Sequence, residues 1–290
     1  MRATPKHDML WRFTALGRPL EPDWPTNRAV MILAPVGAAL AAVFTLLTTE
    51  APSPAALGAA AAAGAAAIFL GWALGRELAP DHQGAAFVSM ATTFAATLLV
   101  PQGSLFVLVV ALVLARLVNR TVGLLATPLD IGTAVGLSMA LAALTATPSV
   151  AAVGALAFVL DRTLHKPHTG HGVAAVTLVV FAGVLLAAQW GGVSWLPEGV
   201  VVGRLGSPGS TVGRVSTLAA PEVVRALVGG IMVAFGWFTL QTRTVASVCD
   251  VRGIPLHPSR VRGGRWVALL LALSLGTSGM AGLLYGSLLW

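Results

Sequence analysis

Charge is scarce in this sequence. Asp, Glu, Lys and Arg together make up 10% of its 290 residues, against about a quarter in a soluble domain. A chain with so few charges keeps most of its length out of water, which excludes an ordinary soluble enzyme. Cysteine is nearly absent too. The single Cys249 rules out an intrachain disulfide and reads as an inert thiol. Lysine is almost missing, with 2 residues against 16 arginines, and Ala and Gly are abundant. That bias fits a GC-rich bacterial coding sequence. The apolar runs also lack the polar face that a soluble amphipathic helix needs.

What is there is hydrophobic length. Hydrophobic residues form 56% of the chain, gathered in runs near the ~20 residues that a helix needs to cross a bilayer. The fold expected is an all-α, polytopic membrane helix bundle of about nine transmembrane helices. A basic segment, 1–28, precedes it and carries Trp11 and Trp24 as headgroup contacts. Residues 29–290 form the transmembrane domain. Spans are expected at 29–48 and 55–74, with the turn around Pro52 and Pro54 between them. The stretch 84–118 reads as two short helices hinged at Pro101. The stretch 131–160 reads as two more, broken at Thr147-Pro148-Ser149. A single long tilted helix over 131–160 is the alternative, and it would move everything downstream to the other face. Spans at 173–189, 226–241 and 266–290 complete the set, with a hydrophilic loop at about 190–225.

The net charge of +7 does not mark a nucleic-acid binder, because no basic face with interleaved aromatics accompanies it. It orients the chain instead. Of the 18 basic residues only Arg204, Arg214 and Arg225 fall in an outer loop, which leaves 15 on the side expected to be cytoplasmic. The N-terminus is then cytoplasmic and the C-terminus extracytoplasmic, in an inner (plasma) membrane whose anionic inner leaflet is the expected partner. The turns repeat: Arg120-Thr121-Val122 returns as Arg162-Thr163-Leu164 and Arg243-Thr244-Val245, with Arg76-Glu77-Leu78 as a looser version. Arg76 to Arg120 is 44 residues and Arg120 to Arg162 is 42, a period that suits repeated helix hairpins.

These turns carry the candidate chemistry. Arg76, Arg116, Arg120, Arg162 and Arg243 either cap helix C-termini and snorkel to headgroups or converge to hold a phosphate or carboxylate. Asp81, Asp130, Asp161 and Asp250 either pair with them and cap helices, Asp130 standing as an N-cap before Ile131, or serve as acid/base or cation groups. His165, His168 and His171 are interrupted by Pro167 and Gly170, so a solvated turn is expected there and no metal site. No residue pattern names a cofactor. The span interiors hold hydroxyls: Ser89, Thr92, Thr93, Thr97, Ser138, Thr277 and Ser278. These line a polar path or bond their own backbone.

The function expected is a transporter or permease for a small neutral or anionic solute, or for a lipid-like molecule. Its support is the pairing of short, Pro- or Gly-interrupted helices, which is how many transporters build a site in the membrane. An enzyme acting on a phosphorylated lipid at the cytoplasmic face is the alternative, and a non-catalytic membrane subunit or scaffold is the third reading.

Overall fold

The computed structural model describes residues 13–99, 105–164, 171–190, 235–236, 239–250 and 253–275. Among them the chain is helical, with one antiparallel bridge between Val248 and Pro255 and no strand. Eight helices have defined bounds: α1 (Pro25–Thr48), α2 (Pro54–Leu78), α3 (Gln83–Leu99), α4 (Leu105–Asn119), α5 (Pro128–Thr145), α6 (Pro148–Thr163), α7 (His171–Trp190) and α8 (Pro258–Leu275). Four of them, α1, α2, α5 and α7, are long and apolar enough to cross a membrane; α3 and α4 are shorter apolar helices. Several expected features lie outside the described residues: the segment 1–12, the hinge at Pro101, His165 and His168, the loop 191–225, most of the span at 226–241, and Thr277 and Ser278.

Proline opens these helices more often than it ends them. Five of the eight begin on Pro. The first helical position suits it, because its missing N–H would have had no intrahelical partner and its fixed φ is already helical. Pro148 settles the stretch 131–160 as two helices. The chain leaves α5 through Ala146 in the left-handed region, φ +49°, and restarts at Pro148.

The described residues fall into two compact units. One holds 20–99 with 105–108 and Phe235; the other holds 13–19, 109–164, 171–190, 236, 239–250 and 253–275. The first contains α1, α2 and α3 and is built on small residues. A Cβ added at Gly64 would collide with the carbonyl oxygen of Gly37, so α1 and α2 touch backbone to backbone. A Cβ at Gly71 would lie 2.8 Å from Thr93 Cβ and 2.9 Å from Ser89 O. Ser89 Oγ donates to Gly71 O at 2.8 Å across that contact. This is how helices pack where no hydrophobic force acts between them.

The second unit is arranged around α6, which packs on α5, α7 and α8. Its inner face, Val150, Ala151, Gly154, Ala157 and Phe158, is fully or almost fully covered. The start of α8 meets the end of α4 at another close approach, where a Cβ on Gly263 would lie 2.8 Å from Val118 Cγ1. Here the structure corrects the sequence reading. The basic stretch expected as a loop up to Arg265 is helical from Pro258, and Arg260 and Arg265 are buried.

Outward faces are apolar. Ile32, Leu40 and Leu47 on α1, and Val173, Val176 and Val180 on α7, are all exposed.

The packing of α2 on α3 gives a direct check. Gly71→Val should destabilise the protein by about 1–3 kcal/mol, the usual cost of forcing extra carbons into a filled contact. Gly58→Val, where an added Cβ meets nothing within 4 Å, should not. Thermal unfolding of the two variants in detergent micelles reads the difference.

Candidate functional site

The most concentrated chemistry in the second unit gathers on one carboxylate. Asp161 sits in the last turn of α6, just past Leu160 where the apolar run ends, and it is fully buried. Arg120 grips it with both arms of its fork: Nε donates to Oδ1 at 2.7 Å and Nη2 to Oδ2 at 2.7 Å. Arg260, in the first turn of α8, donates from Nη1 to Oδ1 at 2.6 Å. From the first residue of α7, His171 brings Nδ1 to 2.8 Å from Oδ2, and its ring stands edge-on to Phe158. Two guanidiniums and an imidazole thus meet one carboxylate, from the ends of four helices. Burial alone would raise the Asp161 pKa. The hydrogen bonds from His171 and Arg120, the Arg120 charge and the bond from Arg260 outweigh burial and hold it down at about 2, against an ordinary 3.8.

Local structure explains why these groups arrive together. Arg120 follows the last residue of α4 in a left-handed conformation, φ +52°, and Gly123 N–H closes the turn on Arg120 O at 2.7 Å. A non-glycine residue there costs about 1–2 kcal/mol, so its surroundings must hold it. Cys249 Sγ donates to Arg120 O at 3.7 Å, and Asp250 N–H donates to Thr121 O at 3.1 Å. Arg260 is fixed independently by Nη1 donating to Val118 O at 2.9 Å.

A second knot lies at the start of α5. Asp130 was expected as the N-cap, but Thr127 takes that position and Asp130 is the third helical residue. Together they form a reciprocal capping box. The reason is geometric: an acid at that third position reaches back to Thr127 N–H, 2.8 Å from its Oδ2. Asp130 also ties down the N-terminal segment, accepting from Thr14 Oγ1 at 2.5 Å and from Ala15 N–H at 2.8 Å. Arg116 Nη1 donates to Leu16 O at 3.0 Å, and Arg18 pairs with Asp250 at 2.6 Å.

The remaining expected site residues are placed as follows. Arg76 belongs to the first unit, where Nη1 donates to Asn27 Oδ1 at 3.1 Å and the guanidinium stacks over Trp72. Arg162 is exposed beside Gly172, Arg243 is exposed outside any helix, and Asp81 is exposed after α2. The three Arg-Thr copies therefore sit in three different local structures. Thr92 Oγ1 donates to Val88 O and Ser138 Oγ to Ala134 O, each one turn back on its own helix. Thr93 is buried against Gly71 and Ser138 against Gly154.

Two residues of the central group were not expected to belong to a site. His171 was expected in a solvated turn and is fully buried instead. Its signal was its place at the head of an apolar run. Arg260 was hidden in an apparent loop. Just beyond it, Gly263 and Gly264 mark the close approach of α8 to α4. Among the described residues no group of three or more His, Cys, Asp and Glu side chains is arranged to hold a metal ion. The chemistry available at Asp161 is recognition of an oxyanion by fork-shaped donors.

Replacing Asp161 by Asn should strand two guanidiniums and cost about 3–5 kcal/mol. The pH dependence has a definite sign. A carboxyl depressed in the fold contributes stability above its ordinary 3.8 and loses it as pH falls toward about 2. Unfolding of the wild type and Asp161→Asn across this acid range should show the wild-type advantage shrinking as the medium becomes more acidic. No family model, curated protein or solved structure matches this chain.

Proposed function

We propose that this is a multi-pass inner-membrane protein of about nine membrane helices, acting as a permease for a small anionic or neutral solute or a lipid-like molecule. The exposed Ile32, Leu40, Val173 and Val180 faces suit lipid tails better than water. One observation carries the transport reading: the buried Asp161 carboxylate, with Arg120, Arg260 and His171 gathered on it at the ends of apolar helices. Such a group is a poor way to gain stability, because desolvating the ions offsets much of their attraction. Buried charged groups gathered in this way are accordingly candidates for working groups. The described part of the same unit holds eight arginines (18, 116, 120, 162, 243, 260, 262 and 265) against three acids (Asp130, Asp161 and Asp250). This excess favours anions and the anionic inner leaflet.

The scaffold reading has its own support. Ser89, Thr93 and Ser138 are packed into helix contacts, which favours a structural role for them.

Topology and transport are tested separately. In a Cys249→Ser background, single cysteines at positions 81, 168 and 250 should all react with an impermeant thiol reagent from the cytoplasmic side. Labelling of any one from the opposite compartment defeats the nine-span arrangement. Purified protein in liposomes should take up a labelled small organic anion or phosphate, and Arg120→Gln should abolish uptake. Correct labelling with no uptake across such a panel favours the scaffold.

A further inference from the structure

We propose that Arg120 and Arg260 form a binding site for a small oxyanion, a carboxylate or a phosphate group, which Asp161 occupies as a built-in stand-in until the ligand exchanges with it. This rests on the permease reading of the same cluster and names the ligand class that cluster takes.

The geometry of the grip is the first support. Arg120 meets Asp161 through Nε and Nη2, both at 2.7 Å, the paired arrangement by which a guanidinium recognises a ligand carboxylate or phosphate. Arg260 adds a third donor at 2.6 Å, and His171 stands 2.8 Å from the second oxygen. Donors from three separate elements surround a two-oxygen acceptor, an arrangement that a phosphate or carboxylate would satisfy equally well.

The division of labour is the second. Arg260 is also held by Val118 O at 2.9 Å, so it stays in place if the carboxylate leaves. The Arg120 side chain keeps 11% exposure while Asp161 keeps none. A ligand therefore meets Arg120 first and reaches the carboxylate position by way of its fork. Arg120 itself is a non-glycine residue held at φ +52°, a strained backbone of the kind that gathers at ligand clamps. Exchange requires only that the Asp161 side chain turn away at the last turn of α6, while the ligand takes over the fork. No covalent bond changes.

The test uses the full-length protein in detergent micelles at neutral pH. Its unfolding temperature is followed against sodium phosphate, sodium acetate or phosphatidylglycerol, with sodium chloride at matched ionic strength as reference. The wild type should gain about 2–4 °C or more with a saturating oxyanion. Arg120→Lys, which keeps the charge and loses the fork, should lose that gain. Asp161→Asn removes the internal competitor, and the concentration giving half the shift should fall at least about tenfold. A response to inorganic phosphate or acetate assigns a free solute as the source; a response to phosphatidylglycerol alone assigns a lipid headgroup.

A wild type indifferent to every oxyanion beyond the chloride reference overturns the proposal, whatever Asp161→Asn does, because Asp161 would then be a permanent clasp. A response that survives in Arg120→Lys overturns it as well. Should Asp161→Asn not fold, the comparison of wild type with Arg120→Lys still decides. Binding with no liposome uptake defeats the permease reading and leaves this site standing. Uptake without an oxyanion response defeats the site alone.

Discussion

A single buried negative charge organises one end of the larger unit. Asp161 is reached by Arg120, Arg260 and His171, and each belongs to a different helix end. Taking four ionisable groups out of water is costly, and their mutual attraction repays it only when nearly every donor and acceptor is used. Much of the surrounding structure meets that requirement. The left-handed residue after α4 aims the Arg120 fork, and the Gly263-Gly264 step lets α8 come close enough to deliver Arg260. The Cys249–Asp250 segment braces the turn from outside.

The helices themselves were legible in the sequence because the physics that sets them is local. Apolar runs of about the bilayer's thickness mark their lengths, and proline marks their limits. Pro54 and Pro148 had each been read as punctuation, Pro258 lay between the expected spans 226–241 and 266–290, and each turns out to be the first residue of a helix. The difference matters most at Pro258. Reading it as part of a loop left Arg260 and Arg265 in solvent, whereas reading it as a start turns the following basic residues inward.

The site was legible only in part, for a physical reason. Arg120 and Asp161 stood out because each sits where an apolar run stops. Their pairing across 41 residues depends on how the ends of α4 and α6 meet at the start of α8, which periodicity does not encode. His171 was masked by Pro167 and Gly170, residues that signal a turn without saying which side of the turn is covered. The spacing of the Arg-Thr copies suggested equivalent corners. Equivalent spacing did not bring equivalent surroundings, because the partners of each arginine come from distant parts of the chain.

The tie between Thr14 and Asp130 spans 116 residues, and it sets an order of assembly. As the chain leaves the ribosome, the segment around Thr14 emerges well before its partner Asp130. The whole α1–α3 unit is made while that segment waits, since residues 20–108 lie between the two halves of the tie. Only when Asp130 appears can its carboxylate both start α5 and capture the segment around Thr14. The loop closed in that step is long, but its entropic cost grows only logarithmically with length. The segment around Thr14 thus reaches its partner only after α1, α2 and α3 have been synthesised.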